Sequence, residues 1–232
     1  MKFSSPLIRV KIIKRYKRFL SDLELENGEI IHAHVPNTGS MKTCWKEGWH
    51  AYISKSNDPK RKLPYTWELT DTGDSLICIN TNLPNKIVKE ALELKKIEEL
   101  KEYSQIKPEK KVLDSRIDFY LTEPGKPDAY VEVKNVTLKG DDKRALFPDA
   151  VSTRGQKHLR DLIQLKQQGH RAVMLYLINR TDVDFFSPAS EIDPEYTKLL
   201  KEAHETGVEI LPYQTHLSQN EISIHKKIDF EL

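Results

Sequence analysis

Two carboxylates and a lysine beside a predicted hairpin turn have types and spacing suited to chemistry. A loop of Pro, Gly and Asp at residues 122–128 separates two stretches that are typical of β-strands. If these stretches pair as an antiparallel hairpin centred on Gly125, Asp118 lies directly opposite Glu132, with Cβ atoms about 4.5–5.5 Å apart. Lys134 falls on the same face, because side chains alternate along a strand. The other face is predicted to be core and carries Ile117, Phe119, Val131 and Val133.

This pair of carboxylates needs a compensating charge. At about 5 Å and an effective dielectric constant of about 20, the repulsion is about 3 kcal/mol. A shared proton, the Lys134 ammonium or a divalent cation could offset it, and oxygen ligands favour Mg²⁺ or Mn²⁺. A metal there would polarise a phosphodiester, and Lys134 would orient a water or stabilise developing charge. These groups suit hydrolysis of a nucleic-acid backbone. The alternative is a surface ion pair, since acid-x-Lys triplets are common.

A further set of polar residues crowds the start of a predicted helix. Residues 147–159 lead from a loop into this helix, and the free N–H groups of a helix start favour anions. The side chains in its first two turns are Arg154, Gln156, Lys157 and His158. They would lie beside the phosphate. The alternative is a capped, solvated helix start, on which His158 is a surface histidine rather than a ligand or base.

Two features of the first third of the chain could meet nucleic acid. The loop 36–41 is polar, and Ser40 with the backbone N–H groups of the loop could approach a phosphate. The alternative is a tight turn in which Gly39 has a positive φ. Tyr65 and Trp67 alternate on a predicted strand, where stacking on bases and packing in the core are equally expected.

The elements that must position these residues fall into two groups. Short segments of β-formers between turn signals predict an OB-like β-barrel in residues 1–82. Residues 83–232 alternate helix and strand, which predicts a mixed sheet flanked by helices. Helices are expected over 84–103, 152–168 and 194–206, and strands over 111–121, 129–138, 172–178, 208–213 and 221–228. The carboxylates then lie in the second domain.

Composition limits the class of protein. The chain has 232 residues, of which 38% are hydrophobic and 31% charged, as in soluble globular proteins. The longest apolar run, 172–178, is too short to span a membrane, so no membrane partner is expected. Cys44 and Cys78 lie outside any CxxC motif, which excludes a zinc finger and favours a reducing cytoplasm. No GxxxxGK[ST] loop is present, which disfavours an enzyme acting on a phosphorylated small molecule.

Basic residues are clustered although the net charge is only +2. Residues 1–18 hold seven Lys or Arg and no acidic residue, and smaller clusters lie at 55–62 and 154–160. Such patches are compatible with binding a polyanion, and equally with a solvated surface.

Seven motifs occur together and in order along the chain. They are Pro36–Met41, Arg61–Glu68, Asn80–Asn85, Ser115–Phe119, Glu132–Leu138, Phe147–Ala150 and Arg154–Leu159. The set closely resembles the sugar fermentation stimulation protein family (SfsA) of bacteria and archaea, over nearly the whole chain. The resemblance implies an OB-like N-terminal domain and a PD-(D/E)xK nuclease-like C-terminal domain. It also implies sequence-non-specific DNA binding, with a regulatory role in sugar metabolism.

The resemblance also implies roles for individual residues. In the PD-(D/E)xK superfamily an acid on one strand precedes an acid-x-Lys motif on the next, and a helical Glu often completes the site. The implied metal ligands are Asp118, Glu132, the Val133 carbonyl and Glu90, and the implied catalytic residues are Asp118, Glu132, Lys134 and Gln156. Lys157 fits the downstream helical position as well as Gln156 does. Ile117 stands where the superfamily often has proline.

These observations predict a DNA-binding protein with a nuclease site that requires Mg²⁺ or Mn²⁺. The alternative is a non-specific DNA-binding regulatory protein of sugar metabolism that keeps the nuclease fold without cleavage. The residues expected to contact DNA are Arg15, Arg18, Ser40, Arg61, Lys62, Arg154 and Lys157. Nuclease folds of this size often pair to cut two strands, so a homodimer is an open alternative to a monomer.

Overall fold

The first part of the chain is a closed five-stranded barrel. The structure, a computed structural model, describes all residues 1–232. The strands of this part are β1 (Ile8–Tyr16), β2 (Leu20–Glu24), β3 (Ile30–His34), β4 (His50–Lys55), β5 (Tyr65–Asp71) and the short β6 (Leu76–Cys78). β3 pairs with β5 in parallel, and all other neighbours are antiparallel, so the ring runs β1-β2-β3-β5-β4 and returns to β1. This is the predicted OB-like barrel.

The barrel closes around its own apolar core. Side chains that alternate along the strands, among them Ile12, Leu23 and Ile53, are fully buried there. Trp67 is also fully buried, and its indole N–H donates to the Leu69 carbonyl at 2.9 Å. Trp67 is therefore core and does not stack bases, whereas Tyr65 is only half-buried.

The rest of the chain builds a mixed six-stranded sheet and a small second sheet. Its elements are α1 (Pro84–Glu93), β7 (Gln105–Val112), β8 (Ser115–Thr122), β9 (Ala129–Val136), β10 (Leu138–Lys139), β11 (Arg144–Phe147), α2 (Thr153–Gln167), β12 (Arg171–Ile178), β13 (Phe185–Pro188), α3 (Pro194–Thr206), β14 (Glu209–Leu217), β15 (Ile222–Lys227) and β16 (Asp229–Phe230). The large sheet has the order β15-β14-β12-β9-β8-β7, and its three central strands β14, β12 and β9 are parallel. The predicted mixed sheet with flanking helices is confirmed.

Helices cover both faces of the large sheet. α2 and α3 pack on one face through a core that includes Leu162 and Leu200, and α1 packs on the other. β12 is buried along almost its whole length, because it lies in the middle of the sheet with a helix layer on each side. No helix of the structure is long and apolar enough to cross a membrane.

Two predicted elements differ from the structure. The helix predicted over 84–103 ends at Glu93, because Lys95 adopts a positive φ of 55° and breaks the helical path. The strand predicted from residue 111 is the second arm of a hairpin. β7 already begins at Gln105, and the turn to β8 includes Leu113 with φ of 50°.

The barrel and the sheet are joined by polar contacts as well as by apolar packing. Arg180 is 2% exposed, and its Nη1 donates to Thr43 Oγ1 on the barrel side at 3.1 Å and to the Thr137 carbonyl. The Cys78 N–H of the barrel donates to the Asn179 carbonyl at 2.9 Å. These bonds hold the two parts in one relative position and define the walls of a cleft between them.

Candidate metal and nucleic-acid site

The hairpin of β8 and β9 has the register that the symmetric turn predicted. Phe119 pairs with Val131, and the next pairs toward the turn keep the same register, so Asp118 falls opposite Glu132. The backbones of β8 and β9 pair only as far as Phe119 and Val131. Beyond that pair, the Val133 N–H donates to the Asp118 side chain, at Oδ2, at 2.8 Å. The Asp118 carboxylate of β8 thus bonds the backbone of β9 where these two strands separate.

An irregularity in β8 changes the face of one core residue. Pairing between β7 and β8 skips Asp118 and its opposite residue Glu109, which has a positive φ of 55°. As a result Ile117 packs in the core beside α2 and α3, whereas Phe119 packs in the core beside α1. The prediction that Ile117 shares a face with Phe119 is wrong, because the two side chains on either side of Asp118 pack in different cores.

Asp118 accepts hydrogen bonds, but its ionised form is still disfavoured at this position. Asn85, in the first turn of α1, donates through Nδ2 to Asp118 Oδ1 at 2.7 Å. Burial, followed by the negative charge of Glu132, raises the pKa of Asp118, and these effects outweigh the bonds from Val133 and Asn85. The position therefore favours a nearby positive charge.

Glu132 is buried with one of its two carboxylate oxygens unpartnered. It is 2% exposed, and its Oε1 contacts His158 Nδ1 and lies 2.7 Å from Lys134 Nζ. Burial alone would raise the pKa of Glu132, but the His158 hydrogen bond and the Lys134 charge lower it overall. Oε2 has no hydrogen-bond partner and no exposed surface. A buried anionic oxygen without a partner is costly unless a cation or donor reaches it.

His158 is the helical residue that reaches the carboxylates. It is only 3% exposed, so the prediction of a surface histidine is wrong. Its Nε2 lies 3.4 Å from Arg154 Nε, which can only donate. Its Nδ1 contacts Glu132 Oε1 and also lies 3.0 Å from Lys134 Nζ, so His158 belongs to one polar cluster with both residues. The sequence could have indicated this burial, because helical spacing puts His158 on the same face as Leu162, four residues later.

Gln156 and Glu90 lie away from the carboxylates. Gln156 Nε2 donates to Asp193 Oδ1 at 2.9 Å and so ties α2 to the start of α3. Glu90 accepts a hydrogen bond from the Met1 amino group. Each is on the wrong side of its helix. At about 100° per residue, Gln156 is rotated by about 160° from His158, and Glu90 by about 140° from Asn85.

Comparison with known proteins identifies the chain. A model described as the SfsA N-terminal OB domain matches residues 13–79, and one described as the sugar fermentation stimulation protein RE domain matches residues 82–221. The chain belongs to the sugar fermentation stimulation protein family. It is 48% identical over 233 residues to the family homologue of Geotalea uraniireducens, with 100% of both chains covered. It is 46% identical to that of Marinomonas sp., over 98% of this chain and 89% of the relative.

A solved structure from the same family has the same fold. The SfsA of Pyrococcus furiosus in complex with Ca²⁺ superposes with a TM-score of 0.87 at 30% identity. The match covers 100% of this chain and 98% of the Pyrococcus chain. The two-part architecture of barrel and mixed sheet is therefore that of the family, whereas the boundary between residues 82 and 83 stays a prediction.

The residues expected to contact DNA, which are all basic except Ser40, are mostly at the surface. The exposed ones are Arg18, Ser40, Arg61, Lys62, Arg154 and Lys157. Lys157 bonds the Asp114 carbonyl on the β7–β8 turn, on a different side of α2 from His158. The sequence interpretation missed the exposed lysines of β7, Lys107, Lys110 and Lys111. Both faces of β7 are exposed, which its scattered lysines and central proline could have indicated.

Arg15 and Gly39 have structural roles that differ from those predicted. Arg15 Nη2 donates to the carbonyls of Asn37 and Gly39 at 2.9 and 3.0 Å, so it supports the 36–41 loop instead of facing solvent. Gly39 does not have a positive φ, and in this loop Met41 does. A Cβ at Gly39 would lie 2.8 Å from Asp149 Oδ2, so the glycine permits a close approach between the two domains.

Replacing Asp118 by asparagine should stabilise the metal-free protein. Since the pKa of Asp118 is raised in the folded state, the folded protein holds this proton to higher pH than the unfolded chain does. Its ionisation therefore lowers the free energy of unfolding as the pH rises. We expect Asp118→Asn to raise the melting temperature in EDTA by roughly 2–4 °C at pH 8, and by less as the pH is lowered. Thermal unfolding across pH tests this; a variant less stable than wild type at pH 8 would contradict it.

Truncation of His158 should weaken the site through Glu132. We expect His158→Ala to lower the affinity for Mn²⁺ by about 10–100-fold, because it removes the residue that orients Glu132, the predicted ligand. His158→Gln keeps a side-chain N–H donor and should recover part of that loss. Calorimetric titration with Mn²⁺ measures both, and equal affinities in the two variants would show that His158 only fills space.

Proposed function

We propose that the chain is a DNA-binding, divalent-metal-dependent nuclease whose site is formed by Asp118, Glu132, Val133 and Lys134. The observation that carries the proposal is the unpartnered Oε2 of buried Glu132. It lies on β9 where β8 departs, across from Asp118, whose pKa is raised by burial and by the Glu132 charge. Both features favour a cation between the two carboxylates.

The donor set suits a hard cation. Asp118 and Glu132 would hold the ion with their carboxylates, and Val133 would hold it with its carbonyl. No group of three or more His, Cys, Asp or Glu side chains is placed to hold a metal. Mg²⁺ keeps several of its waters, so two carboxylates are a sufficient protein contribution. The Ca²⁺ complex of the Pyrococcus relative supports divalent binding in this family, and we propose Mg²⁺ or Mn²⁺ as the working ion.

The remaining residues of the site can serve phosphodiester hydrolysis. A divalent ion bound there would polarise the phosphodiester and lower the pKa of a bound water. Lys134 is largely buried beside Glu132, where its ammonium can stabilise charge that develops on the phosphate. His158 orients Glu132, and Arg154 at the rim of the site adds positive charge for the approaching backbone.

The expected ligand is DNA bound through its backbone. Exposed basic side chains lie on the barrel, on β7 and on α2, so they are spread over three separate elements. Such a distribution supports sequence-non-specific binding that weakens with salt. Regulation of sugar metabolism would then be an indirect consequence of DNA binding. The two cysteines are buried free thiols, in keeping with the cytoplasm as the proposed location.

Cleavage of plasmid and oligonucleotide DNA tests the proposal. Wild-type protein should cut in Mg²⁺ or Mn²⁺ and not in EDTA, with gel shifts run in parallel. Salt-sensitive binding without cleavage under any metal would refute the nuclease and leave a DNA-binding protein on a nuclease scaffold.

A further inference from the structure

A polar cleft opens between the barrel and the sheet. Its volume is about 290 Å³, which holds at least the ten or so non-hydrogen atoms of a nucleobase. Residues of both domains line it, among them Asn37 and Gly39 on one wall and Asn135, Phe147 and Asp149 on the other. A ligand in the cleft would therefore touch both domains at once.

Three chain segments connect this cleft to the carboxylates. Asn135 lines the cleft and directly follows Lys134 on β9. Thr81 lines the cleft, and four residues later Asn85 bonds Asp118. Asp149 lines it as well, and the segment that follows runs into α2, which carries Arg154 and His158 to Glu132. The cleft and the carboxylates are therefore built by the same three segments of the chain.

The lining of the cleft combines apolar surface with hydrogen-bonding groups. Leu138, Leu146 and Phe147 form the apolar part. Asp149 is exposed, and its carboxylate, which can only accept, makes no hydrogen bond or ion pair within the chain. Asn135 accepts from Asn179 at 2.6 Å, which leaves the amide hydrogens of Asn135 free to donate. A flat ring with N–H and carbonyl groups at its edge matches this combination, as the edge of an unpaired base does.

The barrel wall of the cleft is held in place before any ligand binds. Asn37 accepts from the Gly39 N–H at 2.9 Å and donates to the Ile79 carbonyl at 3.2 Å. Arg15 and Thr81 bond carbonyls of the same loop. Gly39 leaves room beside Asp149, since a Cβ at this position would lie 2.8 Å from Asp149 Oδ2. A preformed wall lowers the entropic cost of binding.

We propose that this cleft receives an unpaired base of the DNA strand whose phosphate lies at Asp118 and Glu132. The proposal rests on the DNA binding proposed above and specifies its substrate class: single-stranded DNA, or DNA with unpaired bases. A base inside a duplex is stacked and paired, and it has to leave the helix before it can enter.

Removing the charge of Asp149 distinguishes base binding in the cleft from binding through the DNA backbone alone. If the cleft contacted only phosphates, Asp149→Asn would remove a repulsive charge, and DNA would bind more tightly. If Asp149 accepts hydrogen bonds from a base, the same change weakens binding. Asp74→Asn, at an exposed turn of the barrel, removes an equal charge away from the cleft and serves as the matched control.

Strands with and without bases provide the test. Fluorescence anisotropy in Ca²⁺ would compare a single-stranded 20-mer with the same 20-mer carrying a central abasic tract, so that the phosphates stay equal. Wild type and Asp74→Asn should bind the base-bearing strand roughly tenfold more tightly. Asp149→Asn and Gly39→Ala should bind both strands with similar, weaker affinity.

The outcomes separate this proposal from the proposed function. Equal binding of the two strands by wild type, or an undiminished preference in Asp149→Asn, would overturn the base-binding cleft. DNA binding and metal-dependent cleavage would stand in that case. An absence of binding to either strand would remove both proposals together.

Discussion

Glu132→Gln is expected to lose metal-dependent cleavage by about a thousandfold or more while the protein stays folded. The amide has nearly the same shape, so the packing around His158 and Lys134 is kept. The charge that would bind the metal is lost, and so is the acceptor that no group of the chain satisfies. Loss of a group that supports charge in the transition state is worth factors of this size. Initial rates of oligonucleotide cleavage in saturating Mn²⁺ measure the effect.

A second buried carboxylate provides the control for this experiment. Glu68 in the barrel is 7% exposed and accepts hydrogen bonds from Ser54 at 2.6 Å and Asn80 at 2.6 Å. Glu68→Gln removes a buried charge of the same kind without touching the site, and it should leave the cleavage rate unchanged. Equal rates for Glu132→Gln and wild type would show that cleavage does not depend on this carboxylate.

Lys134→Met is expected to slow cleavage by about 10²–10³-fold without weakening metal binding. Methionine keeps the length and the apolar part of the side chain and removes the ammonium. Lys134 Nζ lies 2.7 Å from Glu132 Oε1, so its positive charge opposes a cation at the free Oε2 of the same carboxylate. The affinity for Mn²⁺ should therefore stay equal or rise while the turnover rate falls. Paired measurements of turnover and of Mn²⁺ affinity test this split.

Another ion-paired lysine tests whether loss of charge alone explains the result. Lys227 on β15 pairs with Glu99 at 2.7 Å, far from the site in the order of the sheet. Lys227→Met should change neither quantity. If Lys134→Met lost metal affinity and turnover in proportion, Lys134 would be supporting the metal site and not the reaction.

The carboxylate pair was predictable because it depends on local rules. A turn centred on Gly125 sets the register of the two strands, and the register alone places Asp118 opposite Glu132. The barrel was predictable for a similar reason, since alternating strands between turn signals have few ways to pack. The resemblance to the family added the role of Lys134, which spacing alone did not distinguish from a surface ion pair.

The helical contributions were harder to predict because they depend on rotation and docking. A shift of two residues along α2 separates Gln156, which bonds Asp193, from His158, which bonds Glu132. On α1, Asn85 bonds Asp118, whereas Glu90 bonds the Met1 amino group. The cleft could not be predicted either, because its walls come from two domains whose relative position depends on contacts such as those of Arg180.

Anomalous scattering from crystals grown with Mn²⁺ and a short DNA strand tests the central claim most directly. We predict a manganese peak bound by Asp118, Glu132 and the Val133 carbonyl, with a phosphate oxygen of the DNA completing its coordination. The same crystals of Glu132→Gln should lack that peak. A manganese ion bound elsewhere, or DNA bound with its backbone away from these carboxylates, would contradict the account of a metal-dependent nuclease.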